Sequence, residues 1–222
     1  QHPMCWHDLE QRWAGCTQPI IRNAEDVSRW WKWLRDEYSR PGRHYHNMSH
    51  LTELFGHVDR NQGAIASDRK LVVELAIFFH DVIYDAKAKE NEEQSAARFQ
   101  DFAALTTLPA ETTAAMVEYI LQTKRHLECT SEDLSMQVFL DFDLAILGSE
   151  SPRYREYCGQ VRQEYCHLSD DQFRQGRTAF LQSQLTAPQL YLTALGRQLF
   201  EARARENIAQ ELQRLADGTV FV

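Results

Sequence analysis

The sequence predicts an all-α protein, a single helical bundle spanning residues 1–222. Apolar residues recur at helical spacing almost throughout, and period-two alternation never persists beyond a few residues. Only nine glycines and six prolines punctuate 222 residues, too few for a fold of many short strands. Val27, Trp30, Trp31, Leu34 and Tyr38 form one stripe, with Asn23 as its cap and Pro41-Gly42 as its stop. Leu51, Leu54, Phe55 and Val58 repeat that spacing. Leu71 to Tyr84 is apolar all round, as a buried central helix should be. Asn91 to Ala104 turns Ala96, Phe99 and Phe102 inward. Pro109 suits the first turn of a helix reaching to about Thr123. Thr130-x-x-Asp133 reads as a capping pattern for a helix through Leu140 and on towards Leu147, with Gly148 to close it. Tyr154, Tyr157, Cys158, Val161 and Tyr165 make the next stripe; Phe173, Phe180, Leu181 and Leu185 another. Pro188 opens a final, interrupted helix to Leu215. Residues 43–148 carry the site, and 152–217 extend the bundle.

Composition narrows the function. A net charge of −8 argues against a nucleic-acid polymer as partner, because phosphate backbones need a clustered basic face. No run of about 18 apolar residues exists to span a membrane, and the first residues lack a charged-then-apolar leader pattern. Five cysteines, an odd number without CxxC spacing, read as reduced thiols of a cytoplasmic protein. A small phosphorylated ligand remains compatible with this balance, and a homodimer is a general prior for such a chain.

Two segments carry chemistry: Arg43-His44-Tyr45-His46-Asn47-Met48-Ser49-His50-Leu51 and Phe78-Phe79-His80-Asp81-Val82-Ile83-Tyr84-Asp85. A His-Asp doublet is by itself a weak signal, and the chain supplies a control in His7-Asp8, which sits in a polar stretch and reads as surface. His80-Asp81 differs because Leu75-Ala76-Ile77-Phe78-Phe79 precedes it. Burying an imidazole and a carboxylate there is costly unless a cation compensates. Adjacent helical side chains diverge by about 100°, so both can grip one ion. His50 opens an apolar helix, and Asp143 lies in the greasy run Phe139 to Leu147. Two His and two Asp make a nitrogen–oxygen site suited to Mn, Fe, Co, Ni or Mg as a divalent cofactor, with coordination positions left for water and substrate.

The order His … His-Asp … Asp resembles the HD superfamily of metal-dependent phosphohydrolases. Tyr45-His46-Asn47-x-x-His50, Phe79-His80-Asp81-x-x-Tyr84-Asp85 and Asn91-Glu92-Glu93-x-Ser95-Ala96 look like one bacterial subgroup of predicted HD phosphohydrolases. The similarity extends into Asp141-Phe142-Asp143-Leu144-Ala145-Ile146-Leu147-Gly148 and Glu201-x-x-Ala204-Arg205-x-Asn207. It implies an HD-type helical bundle, a metal held by His50, His80, Asp81 and Asp143, and hydrolysis of a small phosphorylated metabolite, a nucleotide above all, by activated water. Asp141 lies roughly 200° around the helix from Asp143, so only one of them faces the ion; Asp143-Leu144 matches the family's last ligand, leaving Asp141 as a cap or ion-pair partner.

Beyond the ligands, Asp85 lies four residues after Asp81, hence on the same helical face, where it would orient or deprotonate water alongside Asp81; the alternative is a turn cap. The stretch also resembles the His-Asp-x-x-Glu-Asp of guanosine tetraphosphate hydrolases, with Tyr84 in place of the Glu. Glu93, beside Glu92, is a candidate general base or a helix-start carboxylate. His126, Lys124, Tyr84 and Arg162 are the candidate substrate contacts, set against a helix-terminal role for Lys124 and His126 and an Arg–carboxylate pair for Arg162 and Arg177. His46 reads as a supporting imidazole. Two other functions fit the pattern: a di-iron oxygenase, with His126 as an added ligand, and a metal-containing binding module without turnover.

Overall fold

A computed structural model describes residues 6–218 of the chain. The readings placed on residues 1–5, including the thiol state of Cys5 and the lack of a leader pattern, lie outside that range. The protein is all-α: among the described residues no strand forms, and the one β-bridge joins Ile21 to Thr106. By backbone contacts the chain groups into two compact units, Gln1–His126 and Leu127–Val222. The boundary falls inside the 43–148 range expected to hold the site.

The first unit comprises α1 (Trp6–Thr17), α2 (Ala24–Tyr38), α3 (Met48–Arg60), α4 (Lys70–Phe79), α5 (Asn91–Ala103) and α6 (Ala110–Gln122). Apolar spacing in the sequence predicts no helix over α1, although Leu9, Trp13 and Cys16 are its buried stripe. His7 and Asp8 are exposed on it, as expected. Asn23 caps α2 by accepting from the Glu25 amide, and Gly42 turns the chain at φ +92°. α4 is the axis of this unit, with Val72, Val73 and Leu75 to Phe79 all buried. Trp13 meets Phe78 edge-on at 5.3 Å and Phe102 at 5.2 Å, and Phe79 meets Phe99 at 5.4 Å. Each such pair adds about 0.5–1.5 kcal/mol beyond its burial, so the end of α4 is firmly seated. Trp30 joins the same cluster through Phe79 and Phe102, a packing role.

The helix expected over 71–84 ends instead at Phe79, with His80 as its C-cap. Side chains from elsewhere take the backbone groups that would continue it. Arg43 binds the carbonyls of Asp81 and Val82, Ser95 binds both the amide and carbonyl of Ile83, and Asn91 does the same for Asp85.

The second unit comprises α7 (Leu134–Asp143), α8 (Ser151–Glu164), α9 (Asp170–Thr186), α10 (Ala194–Gly196) and α11 (Ala202–Ala216). The cap of α7 is Asp133 rather than Thr130: its carboxylate reaches the Ser135 and Met136 amides directly. Pro188 opens no helix. The last helical stretch starts at Ala194, where Thr193 caps it, and a π turn over Arg197–Glu201 interrupts it. Ser169 and Gln172 form a capping box on α9.

A buried ion pair fixes α9 to α11. Arg177 Nε donates to Glu211 Oε1 at 2.8 Å and Nη2 to Oε2 at 3.1 Å; Tyr154 and Cys158 donate to the same carboxylate. Burial pulls the Glu211 carboxyl upward, but the Arg177 charge and these bonds outweigh it and hold the group ionised. This is the Arg–carboxylate role expected of Arg177.

Candidate metal centre

His50 stands on the first turn of α3, which Asn47 starts by accepting from the Ser49 amide. Its ring is buried, with the Tyr45 ring 4.9 Å away. His80 ends α4 and is 1% exposed, so its ring has no access to bulk water to satisfy its nitrogens. Its Nδ1 lies 3.0 Å from the Ile77 carbonyl and 3.2 Å from that of Ala76. Carbonyls only accept, so Nδ1 carries the proton and the Nε2 lone pair is left to face the site.

The two Nε2 atoms lie 3.2 Å apart. Asp81 Oδ2 is 3.2 Å from His80 Nε2 and 3.7 Å from His50 Nε2. Ligands about 2.1 Å from one ion, at angles of about 90–110°, stand about 3.0–3.4 Å apart. The imidazole pair and the His80–Asp81 pair fall in that range. Asp143 offers the fourth donor: one ligand atom from each of His50, His80, Asp81 and Asp143 lies within 4.8 Å of the others. Both histidines are buried and both aspartates partly so. Two imidazoles aimed tip to tip beside carboxylates concentrate nitrogen and oxygen donors in one buried place, an arrangement that a cation compensates. Nitrogen and carboxylate oxygen without thiolate suit a divalent first-row ion or Mg.

Asp141 faces its own partners. Its Oδ1 accepts from the Leu192 amide at 2.6 Å, and Oδ2 from the Thr193 amide at 2.8 Å and hydroxyl at 2.6 Å. Burial pushes its pKa up, and these bonds oppose the rise. It is a clamp on the chain before α10, the cap role weighed for it from sequence. The segment after Asp143 is fixed in turn: Tyr191 donates to the Leu144 carbonyl, and Asn207 to those of Leu147 and Ser149.

Asp85 does not share a helical face with Asp81, since α4 has ended before either residue. It is exposed, and its Oδ1 accepts from the Lys87 amide, closing a turn. Glu93 is exposed on α5 and accepts from Lys124 Nζ at 2.6 Å. The Lys124 bond holds the Glu93 carboxyl below its usual range, and the same bond raises the Lys124 ammonium; a general base needs the opposite shift. Lys124 also donates to the Lys89 carbonyl at 2.7 Å, tying the loop before α5 to the turn after α6. His126 is half-buried in that turn, beyond a kink at Arg125, and is not among the four clustered ligands. Tyr84 stacks on His46 at 4.1 Å and 25° between planes. Arg162 is committed at the end of α8 to the carbonyls of Tyr165 and Leu168 and to Asp170, with its guanidinium over Phe173; this is the ion-pair alternative.

Spacing singles out no role for Arg43, yet the structure gives it one. It is 9% exposed, and its guanidinium lies 5.0 Å from the Tyr38 ring centroid and 5.7 Å from that of Tyr84. Comparison with protein-family models, curated proteins and solved structures gave no match for this chain.

Proposed function

We propose that the protein is a metal-dependent phosphohydrolase of the HD type, acting on a small phosphorylated metabolite of the nucleotide class. The convergence of the His50, His80 and Asp81 donor atoms carries this reading. Asp143 completes a two-His, two-Asp set whose order along the chain is that of the HD superfamily. A divalent ion at such a site neutralises charge on a phosphoryl oxygen and makes water acidic enough to attack near neutral pH. The chain's own part is to aim and dehydrate. The Ile77 and Ala76 carbonyls hold the His80 tautomer, Tyr45 walls His50, and Asp81 supplies negative charge at the open side. Asp85, in the exposed loop four residues on, is the further carboxylate that would take a proton from water. Cys16, Cys129, Cys158 and Cys166 form no disulfide among the described residues, and no helix among them is long and apolar enough to cross a membrane; a cytoplasmic site of action accords with both.

The test is metal analysis of protein purified without added metal, followed by a nucleotide screen with Mn²⁺ or Co²⁺. One exchangeable ion per chain and phosphate or pyrophosphate release, both lost in His80→Ala and Asp81→Ala, are expected. Two tightly held irons with a charge-transfer band would replace this reading with oxygenation. Ion binding without turnover on any nucleotide would replace it with a binding module.

A further inference from the structure

We propose that Arg43 is a positioning residue of the metal centre, a guanidinium fork that fixes the His50 segment against the His80-Asp81 segment. Nη1 donates to the His46 carbonyl at 3.0 Å and to the Asp81 carbonyl at 2.6 Å, and Nη2 donates to the Val82 carbonyl at 2.6 Å. One planar group thus binds the main chain four residues before one ligand and at and just after another. The Tyr38 and Tyr84 rings flank it, and Tyr38 is itself tied to α4 through its hydroxyl on the Phe78 carbonyl at 3.0 Å. These contacts do not saturate the ligands' side chains; they set the backbone from which those side chains project. Asp81 lies past the end of α4, and the fork grips its own carbonyl there. An ammonium is a point charge and cannot reproduce three carbonyl contacts in one plane.

The inference rests on the metal reading above, and charge and geometry make opposite predictions within it. Through charge alone, removing a fixed cation beside a cation site should tighten metal binding. Loss of positioning should weaken it. The experiment titrates wild type, Arg43→Gln and Arg43→Lys with Co²⁺ under anaerobic conditions, following the visible d–d spectrum, with far-ultraviolet circular dichroism on the same samples. The expected result is helical content near wild type, Co²⁺ affinity lower by about 10–100-fold in both variants, and an altered band envelope. Arg43→Lys keeps the charge, so its loss of affinity isolates the fork. Affinity and spectrum equal to wild type, or tighter binding in Arg43→Gln, would overturn the positioning role while leaving the metal site intact. Unfolding of both variants would overturn it too, assigning Arg43 to the fold at large. A wild type that binds no Co²⁺ would sink the metal reading itself.

Discussion

His57 shows how one side chain on α3 couples the unit's interior to pH. Its Nδ1 accepts from Arg60 Nη2 at 3.2 Å. Burial, then the Arg60 and His50 charges, bring its pKa down from an ordinary 6.5 to about 4. Between these values the unfolded chain takes up a proton that the folded chain refuses. Stability therefore rises with pH across the window and falls as acid is added through it. Urea midpoints in chelator should drop between pH 7 and pH 5, and His57→Gln should remove a share on the order of 1–2 kcal/mol. Identical slopes for the two proteins would show that His57 protonates freely in the folded state. At this scale the sequence was informative about residue type and poor on partners. His50, His80 and Asp81 stand out because imidazole and carboxylate are out of place in apolar runs. Arg43 does not, since its partners are carbonyls, which every residue has. Glu93 reads from sequence as either a base or a helix-start carboxylate, and Lys124, 31 residues on, takes up its carboxylate.

Among the elements, the helices were largely legible because each buries one stripe. Their ends were not, where tertiary bonds decide them. α4 stops at Phe79 although its apolar run goes on to Val82 and Ile83, because Arg43, Ser95 and Asn91 claim the backbone beyond. Asp141 and Asp143 share one apolar run, so the run alone could not say which faces the other donors; the amides that bind Asp141 lie 51 and 52 residues away. The α7–α10 contact is correspondingly tight. A β-carbon at Gly196 would lie 2.3 Å from Asp141 Oδ2. Gly196→Ala should cost about 1–3 kcal/mol in urea denaturation, despite the helix preference of alanine. A stabilised variant would mean that the clamp opens at little cost.

For the molecule as a whole, an ion held by the folded chain at the His50, His80 and Asp81 donors would find no such site in the unfolded chain, so metal should raise stability by mass action. At a free Co²⁺ or Mn²⁺ concentration about 100-fold above Kd the gain is about 2.7 kcal/mol. The melting temperature should rise on metal addition, return on chelation, and stay fixed in His80→Ala. An equal rise in that variant would place the binding elsewhere. The all-α class could be read from spacing, and the four clustered side chains from their apolar context together with the family resemblance, while the grouping into two units could not, because no linker-like composition marks residues 126 and 127.

The loop that carries Asp81 owes its shape to residues outside itself: Arg43 from before α3, Asn91 and Ser95 from α5. A designer who grafted only the histidines and aspartates onto another helical scaffold would transplant the donors without their mould. There, the peptide after His80 would relax into a further helical turn and carry the aspartate off target. Transfer of the His50, His80 and Asp81 donors requires moving about fifty residues as a block, from the fork at position 43 to the hydroxyl at position 95, with Asp143 supplied besides.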